Sequence, residues 1–195
     1  VRRANSIAFD VRETGRVKRE GNPITGKIIK DAAGAPQYIP GTLKSVKAIG
    51  WFIQEYGVAQ ISMNLTNINV TPVHIALDEV CKKATERGIR VTGSELIGLI
   101  PLKCMLDAGA YFLKKQNRSC GVSERELIKI AVKSLGLDEL GPFKPEERII
   151  EYLLEDAAQH PLVNMNLRDF ADETASESPA PGGGSIAAYV GALGV

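Results

Sequence analysis

The stretch VKAIGWFIQEYGVAQISMNLTNINVTPVH, residues 46–74, decides the fold because its local signals agree with one another. Residues 46–54 and 58–66 are rich in β-branched and aromatic side chains, which favour strands. Between them, residues 55–57 fit a three-residue hairpin turn with Gly57 at the position that needs a positive φ. The stretch therefore predicts an antiparallel hairpin that leads into a helix.

The loop length predicts how the two strands pair. A three-residue turn places Gln54 opposite Val58 and Gly50 opposite Ser62. Alternate residues then sort onto two faces, an apolar face and a polar one. We expect the apolar face to hold core residues (Ile49, Trp51, Ile53, Ala59, Ile61, Met63, Leu65). We expect the polar face to be either a substrate-binding surface or a face that meets water, with Gly50 beside a row of hydrogen-bonding side chains (Gln60, Ser62, Asn64).

Helical patterns flank the hairpin. Residues 2–14 place four apolar side chains on one helical face (Ala4, Ile7, Ala8, Val11). Thr71 and Pro72 predict the start of a second helix as N-cap and first residue, and residues 89–92 predict a short strand after it. This order matches a ferredoxin-like βαββαβ unit without its first strand. A right-handed crossover to the hairpin needs that strand, so we expect it upstream of Val1.

The remaining chain is mostly helical. Apolar spacing predicts helices over residues 101–116 and, after a capping box at Ser123, over residues 123–135. Residues 145–154 fit a short helix or a helix-to-strand junction. The predicted class is thus α+β, with an antiparallel or mixed sheet, helices on one face of it and further helices toward the C-terminus. PAPGGGS and the apolar residues after it resemble the start of a separate all-α domain that the chain contains only in part.

Composition sets limits on partners. The chain has 195 residues, 44% of them hydrophobic, and a formal net charge of +1, so it suits a globular protein with no global preference for nucleic acid or membrane. Three cysteines without CxxC spacing favour reduced thiols over a disulfide framework or a zinc site. The sequence contains neither an 18-residue apolar run nor a signal peptide, and we expect a cytoplasmic protein.

Residues 16–41 form a long loop rich in glycine, proline and basic residues. Between Arg12 and Lys30 six basic residues oppose two acidic ones, a local excess of four positive charges (Arg12, Arg16, Lys18, Arg19, Lys27, Lys30 against Glu13, Glu20). Such a cluster is either an anion site or an ordinary solvated loop.

Two further side chains are secondary candidates for a site. His74 lies in the first turn of its predicted helix, where the helix dipole favours the neutral imidazole. No catalytic partner can be assigned to it by spacing, and a structural role is an open alternative. Glu95 follows the predicted strand in the segment Thr92-Gly93-Ser94-Glu95, which is also compatible with a plain turn.

Several blocks of the sequence, in order, resemble the C-terminal subdomain of glutamate formiminotransferase: GWFIQEYGVAQISMNLTN, VTPVHIALDEVC, VTGSELIGLIPLK, LDAGAYF and PEERIIEYLL. PAPGGGSIAAYVGALG resembles the start of the formiminotetrahydrofolate cyclodeaminase domain. The resemblance implies three parts, which are a transferase subdomain over residues 1–154, a linker over 155–178 and the truncated start of a cyclodeaminase over 179–195.

The resemblance also implies a reaction in histidine degradation and one-carbon metabolism. The formimino group of N-formiminoglutamate passes to N5 of tetrahydrofolate, and cyclodeamination then yields methenyltetrahydrofolate and ammonia. In that family two α+β subdomains hold folate between their sheets, and the catalytic residues lie outside the part matched here. The implied partners are the N-terminal transferase subdomain, the cyclodeaminase domain, folate and formiminoglutamate. We expect a homo-oligomer, no metal, and attraction of a folate polyglutamate tail by Lys18 and Arg19.

A rival hypothesis is a ferredoxin-like module without catalysis that binds a small ligand or RNA, or that mediates oligomerisation. RNA-binding sheets of this kind expose aromatic side chains on their open face. The predicted register leaves only Phe52 there, which counts against RNA.

Overall fold

The computed structural model describes residues 1–154 and 162–194. The chain divides into two compact units, Val1–Ile150 and Glu151–Val195. The protein is α+β, as predicted. In chain order its elements are α1 (Arg2–Val11), β1 (Arg16–Val17), β2 (Tyr38–Ile39), β3 (Val46–Ile53), β4 (Val58–Leu65), α2 (Val73–Thr85), α3 (Leu102–Lys115), α4 (Glu124–Leu135), α5 (Pro145–Arg148), α6 (Ile150–Leu154), α7 (Leu167–Thr174) and α8 (Gly183–Leu193).

The central hairpin forms, but its register differs by one residue from the prediction. Strands β3 and β4 pair antiparallel with Ile53 opposite Val58, Trp51 opposite Gln60 and Gly50 opposite Ile61. The loop therefore contains four residues, 54–57, and closes with the Gly57 amide donating to the Gln54 carbonyl at 3.2 Å. Gly57 has the positive φ, 65°, that the sequence predicted.

Helix α1 covers one face of the hairpin and explains the register. The backbone of α1 comes so close to β3 that a Cβ atom on Gly50 would lie 2.3 Å from the Asn5 nitrogen. The Gly50 amide donates to Oδ1 of Asn5 at 3.3 Å. Glycine is the only residue that permits this approach. The four predicted apolar residues of α1 are all buried here, together with Val46 and Ala48 of β3.

A shift of one residue exchanges the two faces of one strand relative to the other. On β4 the prediction is confirmed, since Ile61, Met63 and Leu65 pack against the core. On β3 it is wrong: Ile49 and Trp51 lie on the opposite, open face, where they are 56% and 50% exposed. Trp51 is therefore not a core residue.

Helix α2 also departs from the prediction at its ends. Pro72 is its N-cap, and Thr71 is not, because the Thr71 hydroxyl donates instead to the Lys44 carbonyl at 2.7 Å. After the helix, residues 89–92 were predicted to be a strand, and the structure assigns none there. Ile89 and Val91 nevertheless pack against the core. Among the described residues this segment finds no strand to pair with, and a strand requires one.

Helices α3 and α4 form the second layer of the first unit. Gly109 of α3 allows a close crossing, because a Cβ atom there would lie 2.3 Å from the Leu127 carbonyl oxygen. The N-cap half of the capping box is confirmed, with the Ser123 hydroxyl accepting from the Glu126 amide at 3.3 Å, whereas the Glu126 carboxylate pairs with Lys129 and does not return to Ser123. Helix α4 ends at Gly136 as predicted. Residues 145–154 form two short helices separated by Ile149, which is fully buried and pairs with Ile100.

Residues 16–41 form an arm rather than an irregular loop. Its base is the pair β1–β2, and isolated bridges join Arg19 with Ile28 and Lys30 with Pro36 farther out. Most of the arm is exposed, including Ile24, Tyr38 and Ile39. At the base, Asp10 of α1 forms ion pairs with Arg16 and with Arg87 at the end of α2.

The second unit contains α7 and α8. Helix α7 begins after its N-cap Asn166, which accepts hydrogen bonds from the amides of Arg168 and Asp169. Helix α8 starts within the PAPGGGS segment. The first part of the predicted linker and His160 lie outside the described residues. No helix in residues 1–154 and 162–194 is long and apolar enough to cross a membrane.

Candidate functional site

The open face of the β3–β4 hairpin is the surface on which most of the predicted binding residues lie. We use "open face" for the side not covered by α1. Strand β3 contributes an apolar row (Ile49, Trp51, Ile53), and β4 contributes a polar row opposite it (Gln60, Ser62, Asn64). Lys47 lies at one end of this face, opposite Asn64. The face is thus half apolar and half hydrogen-bonding, which suits a flat ligand with a polar edge.

A chain of hydrogen bonds crosses the open face. The indole Nε1–H of Trp51 donates to Oε1 of Gln60 at 2.7 Å, and Nε2–H of Gln60 donates to Oε2 of Glu95 at 3.3 Å. Ser94 holds Glu95 in place, because its amide donates to the Gly136 carbonyl and its hydroxyl to the Leu135 carbonyl. Three separate parts of the first unit therefore meet at this point.

The structure brings Gln60 and Glu95 together, which sequence spacing did not predict. It places Ser62 and Asn64 on the same open face. It places Gly50 elsewhere: the expectation that Gly50 lies beside the polar row is wrong, because this residue faces α1 on the covered side. The packing of α1 on β3 leaves no room for a side chain at Gly50, so this glycine does not provide a gap for a ligand.

Sequence reasoning missed Trp51 as a residue of the open face. The apolar alternation of β3 is nearly equal on both faces, so periodicity alone does not orient the strand. The signal that was available is the glycine next to it. A glycine inside a strand often marks close approach of another backbone. Assigning Gly50 to the helix side would have placed Trp51 on the open side.

His74 lies in a separate cluster between α2 and α3. Its ring is 7% exposed and stacks on Tyr111 with a centroid distance of 4.5 Å. The Tyr111 hydroxyl and the Lys115 ammonium both donate to Oδ2 of Asp78 at 2.6 Å. Nδ1 of His74 is buried and has no hydrogen-bond partner among the described residues. The contacts of this cluster join two helices.

The protonation states of the cluster follow from burial and hydrogen bonding. Burial lowers the pKa of His74 below its ordinary value, against the opposing charges of Asp107 and Asp78. Burial raises the pKa of Asp78, but the hydrogen bonds from Lys115 and Tyr111 outweigh it and the net pKa is lowered. His74 is therefore neutral, as expected from the sequence, although burial rather than the helix dipole is the main cause.

Lys18 and Arg19 lie on the arm. Lys18 is exposed and forms no ion pair with any described residue, while Arg19 donates to the Gly26 carbonyl at 2.8 Å. Arg16 differs from them because its charge is neutralised by Asp10. Both predicted polyglutamate-binding residues thus keep positive charge that no carboxylate of the described chain neutralises.

The described residues contain no group of three or more His, Cys, Asp or Glu side chains arranged to hold a metal ion. Cys81, Cys104 and Cys120 are free thiols. An open groove of about 620 Å³ runs beside α2, with Asp78, Cys81 and Lys115 in its lining.

The sequence comparisons converge on one family for this α+β unit. A family model described as the formiminotransferase domain matches residues 1–155. The chain belongs to this family. A second model, described as formiminotransferase-cyclodeaminase, matches residues 166–195.

Individual relatives agree with the family models. Formimidoyltransferase-cyclodeaminase of Sus scrofa is 42% identical over 192 residues, which cover 98% of this chain and 32% of that protein. The protein of the same name from Dictyostelium discoideum is 38% identical over 193 residues. Glutamate formimidoyltransferase of Thermoplasma acidophilum is 34% identical over 106 residues, 54% of this chain and 35% of that protein. The chain thus spans about a third of the length of the bifunctional relatives it matches.

Proposed function

We propose that this chain is part of a folate-dependent transferase that moves the formimino group of N-formiminoglutamate to N5 of tetrahydrofolate. The observation that carries the proposal is the formiminotransferase family match over residues 1–155, followed by the cyclodeaminase match over 166–195. Two activities joined in one protein would let the second convert the formimino product to methenyltetrahydrofolate and ammonia. Residues 1–154 supply a transferase subdomain, 155–178 a linker and 179–195 the beginning of the cyclodeaminase.

The open face supplies one wall of the folate site. Gln60, Ser62 and Asn64 offer uncharged donors and acceptors, and the neighbouring apolar row of β3 offers a surface for a flat ring. The catalytic groups come from the N-terminal transferase subdomain, which faces this wall. His74 acts as a packing residue, because its buried ring stacks on Tyr111.

A ferredoxin-like arrangement would complete the first unit. Strand β4 and residues 89–92 both flank the position that the first strand of a βαββαβ unit occupies, and Ile89 and Val91 already pack against the core there. A strand from upstream of Val1 fills this position. It would give residues 89–92 the pairing partner that the described residues do not provide.

Lys18 and Arg19 attract the polyglutamate tail of folate. The support is that neither charge is neutralised by a carboxylate of the described chain. At low ionic strength, Lys18→Ala combined with Arg19→Ala should weaken the binding of long-tailed folates and leave monoglutamate binding unchanged. Equal affinities of the double variant and the unmodified protein for long-tailed folates would contradict this assignment.

We further propose that the protein acts in the cytoplasm, as a homo-oligomer and without a metal ion.

An RNA-binding module is the rival, but the corrected register does not favour it: the expectation that Phe52 lies on the open face is wrong, and Trp51 takes its place as the single aromatic residue of β3 and β4 there. RNA binding also requires basic groups for the phosphates. The face carries Lys47 but also the carboxylate of Glu95 beside Gln60, which would repel a phosphate backbone. This charge favours a small ligand with hydrogen-bond donors over RNA.

The proposal is tested with the full-length protein. It should transfer the formimino group to tetrahydrofolate, and Asn64→Ala should reduce folate affinity without unfolding the protein, because Asn64 is exposed on the open face. Gln116→Ala, which removes an exposed amide at the end of α3, is the matched control and should bind folate normally. A folded protein that binds RNA but neither folate nor formiminoglutamate would reject the transferase assignment.

A further inference from the structure

The hydrogen-bond chain on the open face ends at the carboxylate of Glu95. Glu95 accepts from Gln60 through Oε2, and Oε1 accepts no hydrogen bond from any described residue. No Lys or Arg of the described residues pairs with this carboxylate. An exposed carboxylate with a fixed neighbour and a vacant oxygen is suited to accept hydrogen bonds from a ligand.

Gln60 fixes the geometry of that acceptor. The amide of Gln60 has a single oxygen, and the Trp51 indole N–H occupies it at 2.7 Å. Its nitrogen must then face Glu95, so the order of donors and acceptors across the face is set. The pairing of Trp51 with Gln60 in adjacent strands holds both side chains at the same height on the sheet.

Trp51 provides a large apolar surface beside this acceptor. Its side chain is half exposed, and Ile49, two residues earlier on the same face, is 56% exposed. A fixed indole next to an ionised acceptor suits a planar group that stacks on the ring and points N–H donors at the carboxylate. The shared chemistry of such ligands is a flat N–C–N unit with two adjacent N–H groups.

We propose that Trp51, Gln60 and Glu95 bind the pterin ring of folate, with the ring stacked on Trp51 and its 2-amino group and N3–H donating to Glu95. This proposal rests on the proposed function and specifies how the open face recognises its substrate. The formimino group of formiminoglutamate also contains an N–C–N unit. The pterin is favoured because its two fused rings match the area of the indole and the isoleucine beside it, whereas the formimino group has only three heavy atoms.

The test measures binding to the full-length protein of two ligands, tetrahydrofolate and a reduced pterin without the p-aminobenzoylglutamate tail. Glu95→Gln replaces one acceptor oxygen with a donor and should weaken both ligands by about 10- to 100-fold, as expected for loss of a hydrogen bond to a charged group. Trp51→Leu should weaken both by about 10-fold, and Trp51→Phe should recover part of this loss.

Glu55→Gln is the matched control, because Glu55 is an exposed carboxylate in the hairpin loop of the same unit. It should bind both ligands as the unmodified protein does. All variants should keep the far-ultraviolet circular dichroism of the unmodified protein, since Trp51 and Glu95 lie at the surface.

Two outcomes overturn the pterin assignment. The first is unchanged affinity of Glu95→Gln and Trp51→Leu for the reduced pterin in a protein that binds it. The second is an increased KM for formiminoglutamate with unchanged tetrahydrofolate affinity, which would assign the site to the formimino group. Failure of the unmodified protein to bind either tetrahydrofolate or the reduced pterin would instead reject the proposed function itself.

Discussion

Replacing Gly50 by alanine tests the register of the hairpin, on which the open face depends. In the structure the new Cβ atom would lie 2.3 Å from the Asn5 nitrogen and 2.5 Å from the Ala4 carbonyl carbon. Ordinary contacts begin near 3.4 Å, so α1 would have to move away from β3 by about 1 Å. The obstacle is helix backbone, which cannot rotate away as a side chain can.

Three terms give the size of the effect. Overpacking costs about 1–3 kcal/mol, and loss of the hydrogen bond from the Gly50 amide to Asn5 costs about 1 kcal/mol. The reduced entropy of the unfolded chain offsets about 0.5 kcal/mol. The free energy of unfolding should therefore fall by about 1.5–3.5 kcal/mol. Trp51→Ala should cost only about 1.5–2.5 kcal/mol, half the loss for a fully buried aromatic residue, because Trp51 is half exposed.

The assay is urea denaturation of the 195-residue chain, with acrylamide quenching of its single tryptophan as a second measurement. Gly141→Ala is the matched control, since a Cβ atom there meets nothing within 4 Å. If Gly50→Ala were neutral and Trp51→Ala cost about 3–5 kcal/mol, with Trp51 protected from acrylamide, the register with a three-residue loop would be correct and the reasoning refuted.

Three further predictions concern other parts of the first unit. Gly109→Ala should destabilise the α3–α4 pair by about 1–3 kcal/mol in the same denaturation assay, because its Cβ atom would lie 2.3 Å from the Leu127 carbonyl oxygen, and a neutral result would contradict the close crossing. Asp10→Asn should cost about 2 kcal/mol and increase hydrogen exchange at the base of the arm, since both Arg16 and Arg87 lose an ionised partner; a variant as stable as the unmodified chain would show that these pairs contribute nothing. Burial lowers the pKa of His74, so the unfolded state takes up a proton at this residue before the folded state does, and the free energy of unfolding should fall as the pH drops through about 6.5. His74→Phe should remove part of this dependence, as measured by denaturation between pH 5 and pH 8.

Much of the fold was predictable because each helix carries its own signals. The apolar stripe of α1, the Ser123 N-cap of α4 and its terminal glycine are where periodicity and capping rules placed them. These signals act within a few residues of one another, so a single sequence contains them. The polar row of β4 was likewise assigned to the correct face.

The errors arose where a decision depended on contact with a distant segment. Glu55 to Gly57 and Gln54 to Gly57 are both acceptable hairpin loops, and the choice between them is made by α1 pressing on Gly50. Thr71 had a good capping sequence, but its hydroxyl donates to Lys44 instead. The Trp51–Gln60–Glu95 chain joins residues up to 44 positions apart along the sequence, and spacing rules do not reach that far.

The base of the arm has a consequence for how this protein tolerates change. Gly15 lies against β2 and Gly41 against the end of α1, with hypothetical Cβ atoms 1.8 Å from the Ile39 carbonyl oxygen and 2.0 Å from the Arg12 carbonyl oxygen. Lengthening a surface excursion costs little, about 0.6 kcal/mol for each doubling of its length. The two glycines therefore fix the position of the base of the arm, and the sequence between them can vary in length. Insertion of a reporter peptide at the tip near Gly34 should leave the unit folded, whereas a side chain at either glycine would disturb it.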